Sequence, residues 1–175
     1  TIMGIFGLLF ATAFYNNAAL RDYKYGFNEI MYSSPVTKGS YFFGRFIGAW
    51  LLSSFVMLGI YLAFILGPAL GPMFNWIGPE RVGPTPWTAI FSTYFIFVLP
   101  NMFLAGSVIF TLALKFKSTI VSFVGALLIM MGYIISVNLM SDMDNQSTAA
   151  LIDIFGGSAY NLDIQYFTPL ERNTI

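Results

Sequence analysis

The chain has 175 residues, of which 57% are hydrophobic and 9% charged. A soluble domain carries about 25% charged residues, so this composition is that of a membrane protein. Eight Lys+Arg balance eight Asp+Glu, which leaves no basic surface for nucleic acid, and the absence of Cys and His excludes zinc–thiolate sites, disulfides and His-dependent catalysis from this sequence.

The first apolar run covers residues 1–19, long enough for one span. No basic segment precedes it, so a signal peptide is a poor reading, and the chain is expected to be a segment of a longer protein. A charged, proline-punctuated insert follows at 21–45. On a helix, Leu20, Tyr23, Phe27, Ile30 and Met31 share an arc of roughly 100°, the width of a buried stripe. Arg21, Asp22, Tyr25, Asn28 and Glu29 take the other side. The spacing predicts an interfacial amphipathic helix over 20–33, with its dry face on lipid or on the spans. Pro35 stops it, and Ser34 with Pro35 suits a new cap before the chain re-enters the membrane through Lys38 and Arg45.

The second run spans 41–72 and is expected to end at Gly67-Pro68 and Gly71-Pro72. A polar connector over 75–87 carries Glu80, Arg81, Pro79 and Pro84. The third run, 88–114, holds Pro100 and Asn101 near its middle. A short loop with Lys115 and Lys117 leads to the fourth run, 119–140. The tail, 141–175, is polar and acidic, with Asp142, Asp144, Asp153, Asp163 and Glu171.

Basic residues favour the cytosolic side of short loops. Arg21, Lys24, Lys38 and Arg45 lie in the insert, and Lys115 and Lys117 lie in the loop between the third and fourth runs. Four alternating spans place both segments in the cytosol and the connector and tail outside. Trp76 and Trp87 flank the connector as an interfacial belt would, whereas the deeper Trp50 reads as a packing residue.

The polar arc carrying Asp22 and Glu29 has two readings: contact with a soluble partner, or a solvated face. Gly44 with Gly48 forms a small-xxx-small pattern, read as close helix packing or as a dimer seam. Pro100 and Asn101 read as a hinge or substrate contact, or more simply as a packed kink. Arg45 sits close enough to the span end to snorkel. There is no P-loop, no dinucleotide-binding glycine motif and no paired-carboxylate site, so no catalytic, cofactor or metal residue is assigned.

Arg21-Asp22, Gly26, Glu29-Ile30, the run from Ser34-Pro35 to Lys38, and Gly44-Arg45 resemble the signature of type II ABC exporter permeases. The resemblance implies an all-α integral membrane fold. These would be four transmembrane helices of a six-helix permease domain, with the insert as a cytosolic coupling helix. It implies a bacterial inner-membrane, multi-pass subunit that pairs with a second permease copy. It further implies a partner ABC ATPase that carries the ATP and Mg and contacts Arg21, Asp22, Tyr25, Asn28, Glu29, Ser34, Pro35 and Lys38. A narrower resemblance, through the segment 153–156 and Thr168 to Asn173, is to permeases of Bacteroidota, some fused to a zinc aminopeptidase domain. No peptidase residue is present. Two other classes stay open beside the exporter: a non-transporting membrane anchor or assembly subunit, and an ion-coupled secondary carrier. The near absence of ionisable groups inside the apolar runs speaks against the carrier.

Overall fold

The computed structural model describes residues 2–27, 37–78, 80, 82, 83 and 85–168. All regular elements among them are helical. Four long helices run up and down: α1 (Ile2–Lys24), α2 (Lys38–Met73), α3 (Trp87–Phe116) and α4 (Thr119–Leu139). A 3₁₀ turn at Met143–Asn145 then leads to two short helices, α5 (Gln146–Ile152) and α6 (Gly157–Ile164), and α5 folds back against α4.

Three of the helices, α2, α3 and α4, are long and apolar enough to cross a bilayer. The chain is thus an all-α protein of membrane type. Its outward faces carry large apolar side chains such as Phe55 and Ile120, 70% and 75% exposed, which suits a surface covered by lipid rather than water. Helix α1 has a different place. It packs against α2, α3 and α4 at once. Leu8, Ala11, Thr12, Tyr15, Asn16 and Ala19 are all buried, and their spacing by threes and fours makes one broad stripe.

That stripe contains polar groups, and each finds a partner, as a low-dielectric interior requires. The Thr12 hydroxyl donates to the Leu8 carbonyl at 2.7 Å. The Tyr15 hydroxyl crosses to the Met102 carbonyl at 3.0 Å. Ser122 donates to Asn16 Oδ1 at 3.0 Å, tying α4 to α1. Tyr15 also sits edge-on to Phe110 and tilted against Phe46, with ring centres 6.3 and 5.4 Å apart. A Cβ at Gly106 would overlap the Tyr15 ring, so glycine at 106 is what lets α1 and α3 approach so closely.

The helix ends correct several expectations. The amphipathic helix expected over 20–33 is not continuous. Its first turn is the last turn of α1, which stops at Lys24. Gly26 takes φ +72°, and the Phe27 amide donates back to the Asp22 carbonyl at 3.0 Å, a Schellman closure that only a left-handed residue permits cheaply. Residues 28–36, which hold Asn28, Glu29, Ser34 and Pro35, lie outside the described residues. The N-cap of α2 is Thr37, not Ser34: its side-chain oxygen accepts from the Ser40 amide at 3.3 Å.

Helix α2 passes Pro68 and ends one residue beyond the expected bound at Pro72. It runs on through both Pro68 and Pro72 to Met73, where Asn75 takes φ 55°. At 36 residues and about 1.5 Å per residue it is far longer than the roughly 30 Å apolar core of a bilayer. Loss of two amide donors is tolerated there because no non-helical backbone serves better in an apolar phase. In α3 the helix changes its winding just before Pro100. Tyr94–Val98 forms a π-helical turn, and the Leu99 amide bonds to the Tyr94 carbonyl. Pro100 has no amide to offer the Ile96 carbonyl, and its ring crowds the preceding turn, so the widened turn absorbs the misfit.

Candidate functional site

The charged end of the bundle gathers the last turn of α1, the first turns of α2, and the junction of α3 with α4. Asp22, on α1, forms an ion pair with Arg45, on α2, and accepts a hydrogen bond from the Tyr41 hydroxyl. Arg45 in turn donates to Tyr41 at 2.6 Å and lies over its ring, 5.3 Å from the centre. The two charged side chains are 15% and 19% exposed. A pair with that much access to water is partly screened, but either charge alone would be less well solvated than at the open surface. Lys117, which takes φ 48° at the end of α3, places its ammonium 4.6 Å from the Tyr23 ring centre. Asp22 and Tyr23 are adjacent on α1, so one turn of α1 holds α2 through an ion pair and the α3–α4 junction through a cation–π contact.

This arrangement revises the reading of Asp22. The helical projection puts it on a solvated face, but the N-terminal turns of α2 cover it. Arg45 does not simply snorkel toward water; it has a carboxylate partner inside the bundle. Arg21 and Tyr25 remain exposed, Tyr25 at 69% in the turn after α1. Lys38 opens α2 and is exposed. The basic residues Arg21, Lys24, Lys38, Lys115 and Lys117 thus share one end, the end defined by the Asp22–Arg45 tie.

Gly44 and Gly48 lie on α2, and a Cβ built on either would meet no atom within 4 Å. Among the described residues, neither lies against another helix. Pro100 follows the altered turn of α3, in the regular helix that begins at Leu99. Asn101 has a partner that is invisible in sequence: its Nδ2 donates to the Phe155 carbonyl at 3.0 Å.

Phe155 belongs to a second polar cluster, at the opposite end of the bundle. The loop between α5 and α6 is built on Asp153, whose carboxylate accepts from the Phe155 amide at 2.9 Å and the Ser158 amide at 2.7 Å. Gly156, at φ +73°, lets the chain turn between them. The Phe155 side chain is driven into the bundle, where it meets Tyr133 at 5.4 Å and covers the backbone of Gly4. Ser136 completes the anchorage, donating to the Ala149 carbonyl and meeting the Ser158 hydroxyl, both at 2.7 Å. The acidic tail is therefore a docked helical cap over residues 141–168. Beneath the cap is a cavity of about 400 Å3, bordered by α1, α2, the altered turn of α3 and α6.

Comparison with protein families, with curated proteins and with solved structures finds no match for this chain.

Proposed function

We propose that the chain is the core of the transmembrane subunit of an ATP-driven exporter, with four spans including α1 and with the 21–45 segment as the contact for a partner ATPase. The observation that carries this reading is the Asp22–Arg45–Tyr41 cluster. It fastens the outgoing end of α1 to the incoming end of α2 at the very segment whose residues resemble the coupling loop of type II ABC exporter permeases. A load applied to the segment between them would move both helices as a unit. The exposed Arg21, Tyr25 and Lys38 stand around that segment, free to meet an acidic or polar surface, and Glu29 is the further contact expected from the sequence. The excess of basic residues at this end supports its placement in the cytosol, and the family resemblance supports a bacterial inner membrane. A second copy of the permease completes the assembly, with the open Gly44–Gly48 strip of α2 as a candidate seam.

The test is co-purification of the full-length protein with an ATPase encoded beside it, followed by measurement of hydrolysis with and without the membrane subunit. The reading expects stable association and an altered rate, and charge reversal by Glu29→Lys should weaken both. Absence of association together with an unchanged rate would sink it.

A further inference from the structure

The cavity under the Phe155 cap has a chemical gradient along its length. At its inner end it is lined by Leu8, Met57, Met102 and Ala105, with no polar side chain among them. Toward the outer end the helices bring in Tyr61, one turn beyond Met57 on α2, and Thr93, three turns before Ala105 on α3; Tyr160 on α6 closes that end. The Tyr61 hydroxyl has no hydrogen-bond partner among the described residues. Asn101, midway along, commits its Nδ2 to the Phe155 carbonyl and keeps Oδ1 as an acceptor. The π-helical turn at Tyr94–Val98 forms one wall, and such turns occur often at functional sites because they displace a helix face from close packing.

Charge narrows the ligand further. Among the described residues, no Lys, Arg, Asp or Glu lines the cavity. An ionised head group placed there would lose its water and gain no counter-charge, which is costly in a low dielectric. The adjoining cleft shares Phe97, Asn101 and Tyr160 with the cavity and carries the exposed carboxylate of Asp163, so an anionic head would also meet repulsion at the mouth. At about 400 Å3 the space is within the range of small-molecule sites. We propose that this cavity binds a neutral single-chain amphiphile of the monoacylglycerol class, its chain toward Leu8 and Met102 and its uncharged hydroxyl head between Tyr61, Thr93 and Tyr160.

The inference is independent of any ATPase, because binding is read without nucleotide. The full-length protein in lipid nanodiscs is irradiated with a monopalmitoylglycerol that carries a diazirine in mid-chain, and labelled residues are mapped by mass spectrometry. Labels are expected on Met57, Phe97 and Met102. Excess monopalmitoylglycerol should suppress them, and a palmitoyl lysophosphatidic acid, with the same chain and an anionic head, should compete roughly tenfold less well, a margin set by one poorly solvated charge. Ala105→Phe, which fills the inner end, should abolish the labels. Because Ala105 is buried, Tyr61→Phe provides a milder second variant; it removes one hydroxyl and should weaken labelling about fivefold, the worth of one hydrogen bond. Labels spread over the outer face of α2, at Phe55, Leu62 and Phe64, would overturn the proposal. So would equal competition by the anionic lipid, or Tyr61→Phe labelling as the unaltered chain does while Ala105→Phe also leaves the labels in place.

Discussion

The two ends of this bundle use a carboxylate in opposite ways, half-buried at Asp22 and buried at Asp153. Asp22 reaches across to Arg45 and Tyr41 on another helix and joins segments that are distant in sequence. Asp153 reaches only two and five residues along its own chain and shapes a loop, leaving Phe155 to make the long-range contact. The first device links helices that could move together. The second fixes a local plug, held on the bundle by the Phe155 ring, by the Asn101 amide and by the Ser136 hydroxyl. The middle of the bundle, where Tyr15 lies against Gly106 so closely that a Cβ would overlap its ring, separates the two ends.

The largest expected effect is on that separator. Gly106→Val would force apart α1 and α3, and overpacking of a filled core costs about 3 kcal/mol. Thermal unfolding in detergent should register a clear fall in midpoint, and an unchanged midpoint would mean that Tyr15 has another place to go. Next comes the outer cap. Asp153→Ala leaves the buried Phe155 and Ser158 amides without acceptors, at about 2 kcal/mol. Hydrogen exchange should accelerate over 146–164 while α1 and α2 keep their protection. If protection is lost at both ends alike, the two are not independent.

At the charged end, Asp22→Asn keeps the shape and removes the charge facing Arg45. The expected loss is about 1 kcal/mol, since the pair is partly screened, and it should shrink as salt is raised. A double-mutant cycle with Arg45→Gln measures the coupling, and a value near zero would reduce the pair to coincidence. The smallest effect is Asn101→Ala, which frees the Phe155 carbonyl and loses one hydrogen bond worth about 1 kcal/mol or less. Faster exchange confined to 153–158 would identify Asn101 as a latch of the cap rather than a hinge of α3.

Much of this architecture can be read from hydropathy. The apolar runs at 88–114 and 119–140 match α3 and α4 within about two residues at each end, since an apolar stretch with no charge has only the helix available in a bilayer. Gly26 is the stop of α1, yet the apolar arc that begins at Leu20 runs on past it in the sequence to Ile30 and Met31, so periodicity alone does not place the break. The pairing of Asp22 with Arg45 was not legible. A helical wheel gives the face of one helix and says nothing of what stands opposite. The same holds for Asn101, which looks like a local repair for Pro100 and instead bonds to a residue 54 positions away.

The sequence alone determined that the protein is helical and of membrane type, and which segments carry its charge, because those properties depend on composition and on spacing along a single helix. Only the tertiary structure decided that α1 packs against three other helices at once, that Asp22 pairs with Arg45, and that the acidic tail folds into a cap over a cavity. Each of these depends on which faces of different helices meet, and that is settled by close contacts such as Tyr15 on Gly106 and Phe155 over Gly4, between residues that no local periodicity connects.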